Sequence, residues 1–218
     1  VDCALRRCLW TRTTADIELF NTVNEKQRAV DVESARQRAR ECQGGAAQGE
    51  PGPATSLRRM TQKVLFVCLG NICRSPAAEG VFLHLLNERG LNNRFVVDSA
   101  GTGSWHVGNP ADRRMQAAAK RRGIHLPSRA RQIDLNDLEE FDLVLTMDDD
   151  NFRAVSGLAR EAGERATAQI RPMLSYGERY SESEVPDPYY GGDAGFDHVL
   201  DLLEEACAAM LDELSAED

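Results

Sequence analysis

The stretch from Val64 to Glu88, VLFVCLGNICRSPAAEGVFLHLLNE, leaves this chain little choice of local structure. It opens on Val64-Leu65-Phe66-Val67, an apolar run of strand formers too short for a helix. Cys68 follows, then five residues, then Arg74 and Ser75. Beyond Pro76, the residues Ala78, Val81, Phe82, Leu85 and Leu86 recur at helical spacing. Ser75 suits an N-cap, and Pro76 suits the first helical position, where a missing N–H costs nothing. The stretch therefore reads as buried strand, tight loop and helix N-terminus.

Such a loop suits an anion. Its backbone N–H groups converge on the helix start, and the helix dipole adds to their field. Arg74 can make paired hydrogen bonds to a tetrahedral oxyanion, which a lysine does less well. Cys68 sits in the same positive field, and a field of that sign favours the ionised thiol. A thiolate beneath a bound phosphate is a nucleophile aimed at phosphorus. The bare Cys-x5-Arg-Ser spacing is weak, because six cysteines give several chances of a match. The strand before it, the helix behind it and the Gly70-Asn71 pair sharpen it. Both of those residues tolerate the left-handed backbone that a tight anion loop needs. No Gly-Lys-[Ser/Thr] follows, so a Walker-type nucleotide site is disfavoured.

The remaining segments alternate. Arg94 to Asp98 reads as a second strand ended by Ser99-Ala100-Gly101, and Asp112 to Arg122 as a helix stopped by Gly123. Phe141 to Asp148 reads as a third strand, and Asn151 to Ala162 as a helix. Ile170 to Leu174 is a weaker fourth strand, placed at an edge or strand end by Pro172. Phe196, Val199, Leu200, Leu203, Cys207, Met210, Leu211 and Leu214 trace the apolar face of a last helix. Strands alternating with helices imply a parallel sheet covered on both faces, with ligands at the carboxyl ends of the strands, where Cys68 lies. Late in the chain, Asp187 stands in VPDPYYGG. It either projects a carboxylate as a proton donor or merely starts an Asp-Pro turn.

Residues 1–60 read differently. They carry a net charge of +2, against −11 for residues 61–218. An acidic domain argues against nucleic-acid binding. Arg6, Arg7 and Arg12 give the first residues a bias like that of a transit peptide. Asn24 to Glu41 is expected to form a polar helix, and Gly44 to Ser56 a flexible linker. The expectation is that Met60 is the natural start and 1–59 an upstream extension, with a disordered regulatory tail as second reading. No apolar run reaches membrane-spanning length. The six cysteines, in a chain without a signal peptide, suggest a reducing compartment. The four histidines show no ligand spacing, so no metal is expected.

The motifs VLFVCLGNICRSP, DSAGT (Asp98 to Thr102), Trp105-x-x-Gly108, Ala111-Asp112-x-Arg114, FDLVLTMD and Asp187-Pro188-Tyr189-Tyr190-Gly191 resemble, in order, those of the low-molecular-weight protein tyrosine phosphatases. The resemblance covers nearly all of residues 61–218. It implies an α/β three-layer sandwich with a central four-stranded parallel sheet. It further implies Cys68 as nucleophile, Arg74 as phosphate ligand and Asp187 as general acid, then base. Leu69, Gly70, Asn71, Ile72, Cys73 and Ser75 would bind substrate from the loop, and Trp105, Tyr189 and Tyr190 from the mouth. A deep aromatic slot admits a phosphotyrosine ring, whereas a shorter phosphoserine falls short of the thiolate.

In the same reading Ser75 donates to the thiolate, Asn71 holds the loop, and Asp148 either orients Arg74 or caps a helix. Cys73 either pairs reversibly with Cys68 under oxidant or fills space. The implied partners are a phosphotyrosine protein or peptide and a tyrosine kinase acting on Tyr189 or Tyr190. No cofactor is implied, and the setting is cytoplasmic. One departure stands out: vertebrate members carry a histidine before the Ala-Arg-Gln triplet where this chain has Ser128, so hydrogen bonding behind the site is expected to differ. Two other functions fit the loop. Arsenate reduction through a thioredoxin-linked relay needs further cysteines, and none lies between Cys73 and Cys207, which leaves a version that uses an external thiol. A non-catalytic phosphate-binding module would not need Cys68, Arg74 and Asp187 together.

Overall fold

A computed structural model describes residues 61–177 and 179–216, which fall within the unit Leu57–Asp218. The expected polar helix, linker and start at Met60 lie outside the described residues.

Four parallel strands form the centre: β1 (Gln62–Cys68), β2 (Phe95–Gly101), β3 (Leu143–Thr146) and β4 (Gln169–Pro172), in the order β2-β1-β3-β4. Five helices accompany them: α1 (Arg74–Glu88), α2 (Arg113–Arg121), a single turn α3 (Asp137–Glu140), α4 (Asp149–Ala162) and α5 (Asp193–Ala216). Strand side chains alternate between faces, and β1 is buried on both. Val64 and Phe66 join one core with α1, α2 and α5 through Phe82, Met115, Phe196 and Leu200. Leu65 and Val67 join the other, with Val144, Leu138 of α3 and Val155 of α4. The result is the three-layer α/β sandwich with a four-stranded parallel sheet. The whole apolar face expected of the last helix is buried.

Several boundaries differ from the sequence reading, each for a local reason. α1 starts at Arg74 with Cys73 as its N-cap, so Ser75 is not the cap and Pro76 is the third helical residue. Pro76 still lies among the first four residues, whose N–H groups have no intrahelical partner. β2 runs on through Ser99-Ala100-Gly101, because β1 supplies a ladder partner as far as Cys68, opposite Gly101. β3 is shorter than expected, since Asp148 already caps α4 by accepting from Asn151 N at 2.7 Å. β4 is an edge strand that ends at Pro172, where a missing N–H breaks no ladder.

The order of the strands positions the site. From β1 the chain moves one way to β2, and later returns to β3 on the other side of β1. The loops after β1 and β3 therefore diverge and leave a crevice at the carboxyl ends of the strands. Cys68 ends β1 on that side, and Asp148 follows β3.

Candidate active site

The loop between β1 and α1 is tied down on its outer side. The carbonyls of Cys68 and Leu69 accept from Thr102 N and Gly103 N at 2.9 and 2.8 Å, and Ile72 O accepts from Asp112 N at 2.7 Å. In a trans peptide the N–H points opposite its C=O. Anchoring those carbonyls thus turns the following amides toward the crevice. Asn71 N is directed at the Cys68 sulfur, 3.3 Å away.

Of the two residues expected to supply left-handed backbone, only Asn71 does so, with φ 52°. Gly70 has another reason to lack a side chain: a Cβ there would lie 3.1 Å from the His106 ring. Gly101 was not foreseen as part of the site. A Cβ on it would meet Leu69 O at 2.9 Å, so its bareness lets the loop sit directly on the end of β2.

Asn71 also organises what lies beneath the loop. Its Oδ1 accepts from Arg131 N at 2.9 Å, and its Nδ2 donates to Ser75 Oγ at 2.8 Å and to Ser99 Oγ at 2.9 Å. Each hydroxyl thus has an incoming hydrogen and must pass its own onward. Ser99 donates to Glu79 Oε2 at 2.6 Å. Ser75 Oγ lies 3.1 Å from both Cys68 Sγ and Ala100 O. An ionised sulfur is the stronger of those acceptors. Asn71 and Ser75 are buried below the cleft and do not line it.

Glu79 and Ser99 escaped the sequence reading, because a polar residue inside a helix or strand carries no local signal of burial, and Arg131 because it lies in a loop whose partners are distant in sequence. Burial pushes the Glu79 carboxyl above the ordinary glutamate range, against hydrogen bonds from Ser99 and Ser128. Ser128, the departure noted above, is thus part of this network. Arg131 pairs with Asp137 through both terminal nitrogens and with Asp98 through Nε at 2.9 Å.

Arg74 is almost wholly buried. Its Nη1 donates to Asp148 Oδ2 at 2.5 Å and to Val185 O at 3.2 Å, and its Nη2 to Asp187 Oδ2 at 3.0 Å. Burial works against its charge, but Cys68, Asp187 and Asp148 outweigh it and hold the guanidinium above its usual range. Asp148 therefore does both things the sequence suggested, orienting Arg74 and capping α4. Asp187 Oδ1 accepts from Tyr189 N at 3.1 Å, which fixes the carboxylate against its own loop.

Above Cys68 lies a cleft of about 290 Å³. Cys68, Leu69, Gly70, Ile72, Cys73 and Arg74 make its floor, with Trp105 on one side and Asp187, Tyr189 and Tyr190 on the other. His106, unassigned from sequence, lines it too. Trp105 is held over Gly103, where any side chain would collide with the indole. Tyr189 and Tyr190 meet edge to face at 5.1 Å, and Tyr190 is 94% exposed. Cys73 is buried, and its thiol is pushed up to about 12, chiefly by burial and then by Asp112 and Cys68.

The family model for low molecular weight phosphotyrosine protein phosphatase matches residues 63–218. The chain belongs to that family. With it, the chain stands among the hydrolases, as its relatives' names agree. A low molecular weight protein-tyrosine-phosphatase of Bacillus subtilis is 41% identical over 155 residues, covering 71% of this chain and 96% of its own. The human low molecular weight phosphotyrosine protein phosphatase is 40% identical, with 70% of this chain and 95% of its own covered. Among solved structures, the protein tyrosine phosphatase of Entamoeba histolytica superposes with a TM-score of 0.68 at 40% identity, over 72% of this chain and 98% of that one. A Drosophila arginine phosphatase superposes with 0.69 at 34% identity, over 72% and 100%.

Proposed function

We propose that this phosphatase hydrolyses phosphotyrosine on proteins or peptides through a phosphocysteine on Cys68. The Cys68 thiolate attacks phosphorus, and the bond from phosphorus to the phenolic oxygen breaks. Asp187, as the carboxylic acid, gives its proton to that oxygen. Asp187, now a carboxylate, then takes a proton from a water that attacks the phosphocysteine. The sulfur–phosphorus bond breaks, inorganic phosphate leaves, and the thiolate is restored. Arg74 and the loop amides hold the phosphoryl oxygens while charge moves among them. Ser75 steadies the returning thiolate by hydrogen bonding.

One observation carries this reading: Cys68 and Arg74, from the two ends of one loop, meet Asp187, from a segment more than a hundred residues later, in one cleft, with Arg74 bridging to Asp187 at 3.0 Å. The aromatic sides support a ring-bearing substrate, since Trp105, Tyr189 and Tyr190 offer flat apolar surface at the mouth. The exposure of Tyr190 suits it, with Tyr189, to modification by a tyrosine kinase. A reducing cytoplasmic setting agrees with Cys68, Cys73 and Cys207 as free thiols.

The test is turnover of a phosphotyrosine peptide with a metal chelator present. We expect wild type to be active, Cys68→Ser to be inactive, and Asp187→Ala to be slower by about 10²–10⁴-fold. A phosphoarginine peptide and arsenate with added thiol run alongside. Faster turnover of either than of phosphotyrosine overturns the assignment.

A further inference from the structure

Beside the active-site mouth runs a second concavity, a trough of about 210 Å³ between α2 and the start of α5. Arg113, Ala117 and Arg121 follow one another at four-residue intervals, with Arg114 and Ala118 alongside. The alanines leave a shallow floor between guanidinium groups, and Phe196 of α5 closes the far side. α2 contains no acidic residue, although residues 61–218 carry −11 overall.

The carboxylates near this trough are largely committed. Arg114 holds Asp112 through Nε and Nη2, both at 3.1 Å. Arg121 holds both oxygens of Asp197 at 2.8 Å. Asp193 lines the trough itself. Exposed Arg113 has no ion-pair partner among the described residues.

Arg114 joins the two concavities. Its guanidinium carbon lies 5.4 Å from the Tyr189 ring centre and 4.7 Å from that of Phe196. Tyr189 lines the cleft above Cys68, and Phe196 lines the trough. One guanidinium in contact with both rings lies where the two concavities meet.

We infer that the trough is an anion subsite for the same substrate, taking acidic side chains that flank the phosphotyrosine. This rests on the phosphotyrosine reading above and specifies the sequence around the substrate residue. A peptide leaving the mouth past Tyr189 meets Arg113, the trough guanidinium not engaged by a carboxylate among the described residues. An acidic segment is repelled by most of this acidic domain and attracted here, which sets its direction of approach.

The experiment compares phosphotyrosine peptides bearing glutamates on either flank with an alanine version, and uses p-nitrophenyl phosphate as a substrate too small to reach the trough. We expect a lower KM when glutamates stand on one flank, with kcat unchanged, and expect added salt to erase the difference. Arg113→Glu should raise the KM of that peptide about two- to fivefold, the scale of an exposed ion pair. Arg113→Lys should retain the preference. Arg113 is exposed at the first residue of α2, where an acidic side chain favours the helix, so the reversal preserves the fold. p-Nitrophenyl phosphate should be hydrolysed equally by all three proteins. Indifference of wild type to flanking charge overturns the inference, as does a preference that survives Arg113→Glu. Failure of wild type on p-nitrophenyl phosphate overturns the phosphatase reading itself, and the inference with it.

Discussion

Asn71 is the residue on which the loop's shape turns, because its one side chain bonds Arg131 N, Ser75 Oγ and Ser99 Oγ beneath Cys68. Its carbonyl is taken by Arg131 N, so its amide must donate to both serines. Asn71→Ala leaves those groups short of partners and removes the side chain that steadies the positive φ. We expect a stability loss of about 1–3 kcal/mol by chemical denaturation. We also expect kcat to fall by about 10²-fold, the scale of a small misplacement of reacting groups. An Asn71→Ala enzyme with wild-type kcat contradicts the role given to this network.

Cys73 offers a second check at this scale. With its thiol at about 12, it stays protonated at every working pH, while Cys68 faces a guanidinium and an amide. Iodoacetamide at neutral pH should therefore label Cys68, abolish activity and leave Cys73 unmodified by peptide mass mapping. Equal labelling of both contradicts the assignment. Under peroxide, we propose that Cys68 becomes a sulfenic acid; the Cys73 sulfur then attacks the Cys68 sulfur, the S–O bond breaks, and the hydroxyl leaves as water with the Cys73 proton, forming a disulfide. A dithiol should then restore wild type more fully than Cys73→Ala. Irreversible loss in wild type, no slower than in that variant, would defeat the idea.

At the scale of elements, α1 is anchored to β2 by a buried acid. Burial raises Glu79, so its protonated form suits the folded state better than the unfolded one. The stability this gives is full below the ordinary glutamate range and is lost as pH rises through the raised value. Glu79→Gln keeps an acceptor for Ser99 and cannot titrate. Its melting temperature should gain on that of wild type as pH rises across that window. Parallel curves for the two proteins would show that Glu79 does not titrate differently on folding.

The elements also show what was legible and why. β1, α1 and α5 were readable because burial on one or both faces writes period or continuity into their residues. Ser75 misled as a cap because its hydroxyl, facing Cys68 Sγ and Ala100 O, makes no cap bond to α1. The extension of β2 depended on a partner strand, which local sequence does not contain. His106, Glu79 and Arg131 were missed for a similar reason: their importance comes from the neighbours that folding brings to them.

At the scale of the molecule, β1, one of the two inner strands of the sheet, ends at Cys68, the nucleophile we propose, with a packed layer on either face. Cys68 is itself part of the core, with Phe66, Phe82 and Phe196 in the same cluster. Asp187 comes from the opposite end of the sequence and reaches the site only because the segment before α5 crosses the crevice. Val185 N donates to Met147 O at 2.8 Å, and Val185 O accepts from Arg74, so the acid's loop is fixed just before Asp187. The spacing from Cys68 to Arg74 was legible as an anion loop. That Asp187 faces it was not legible from spacing, and needed either the family's motif or the fold.

The most direct measurement is to quench Asp187→Ala during turnover of p-nitrophenyl phosphate, whose leaving group departs without a proton from Asp187, and map the phosphoryl group by mass spectrometry. The mechanism predicts a phosphoryl group on Cys68, accumulating because no carboxylate is left to activate the hydrolytic water, and none in Cys68→Ser. Turnover by the wild type with no phosphoryl group on Cys68 in either the wild type or Asp187→Ala would contradict it.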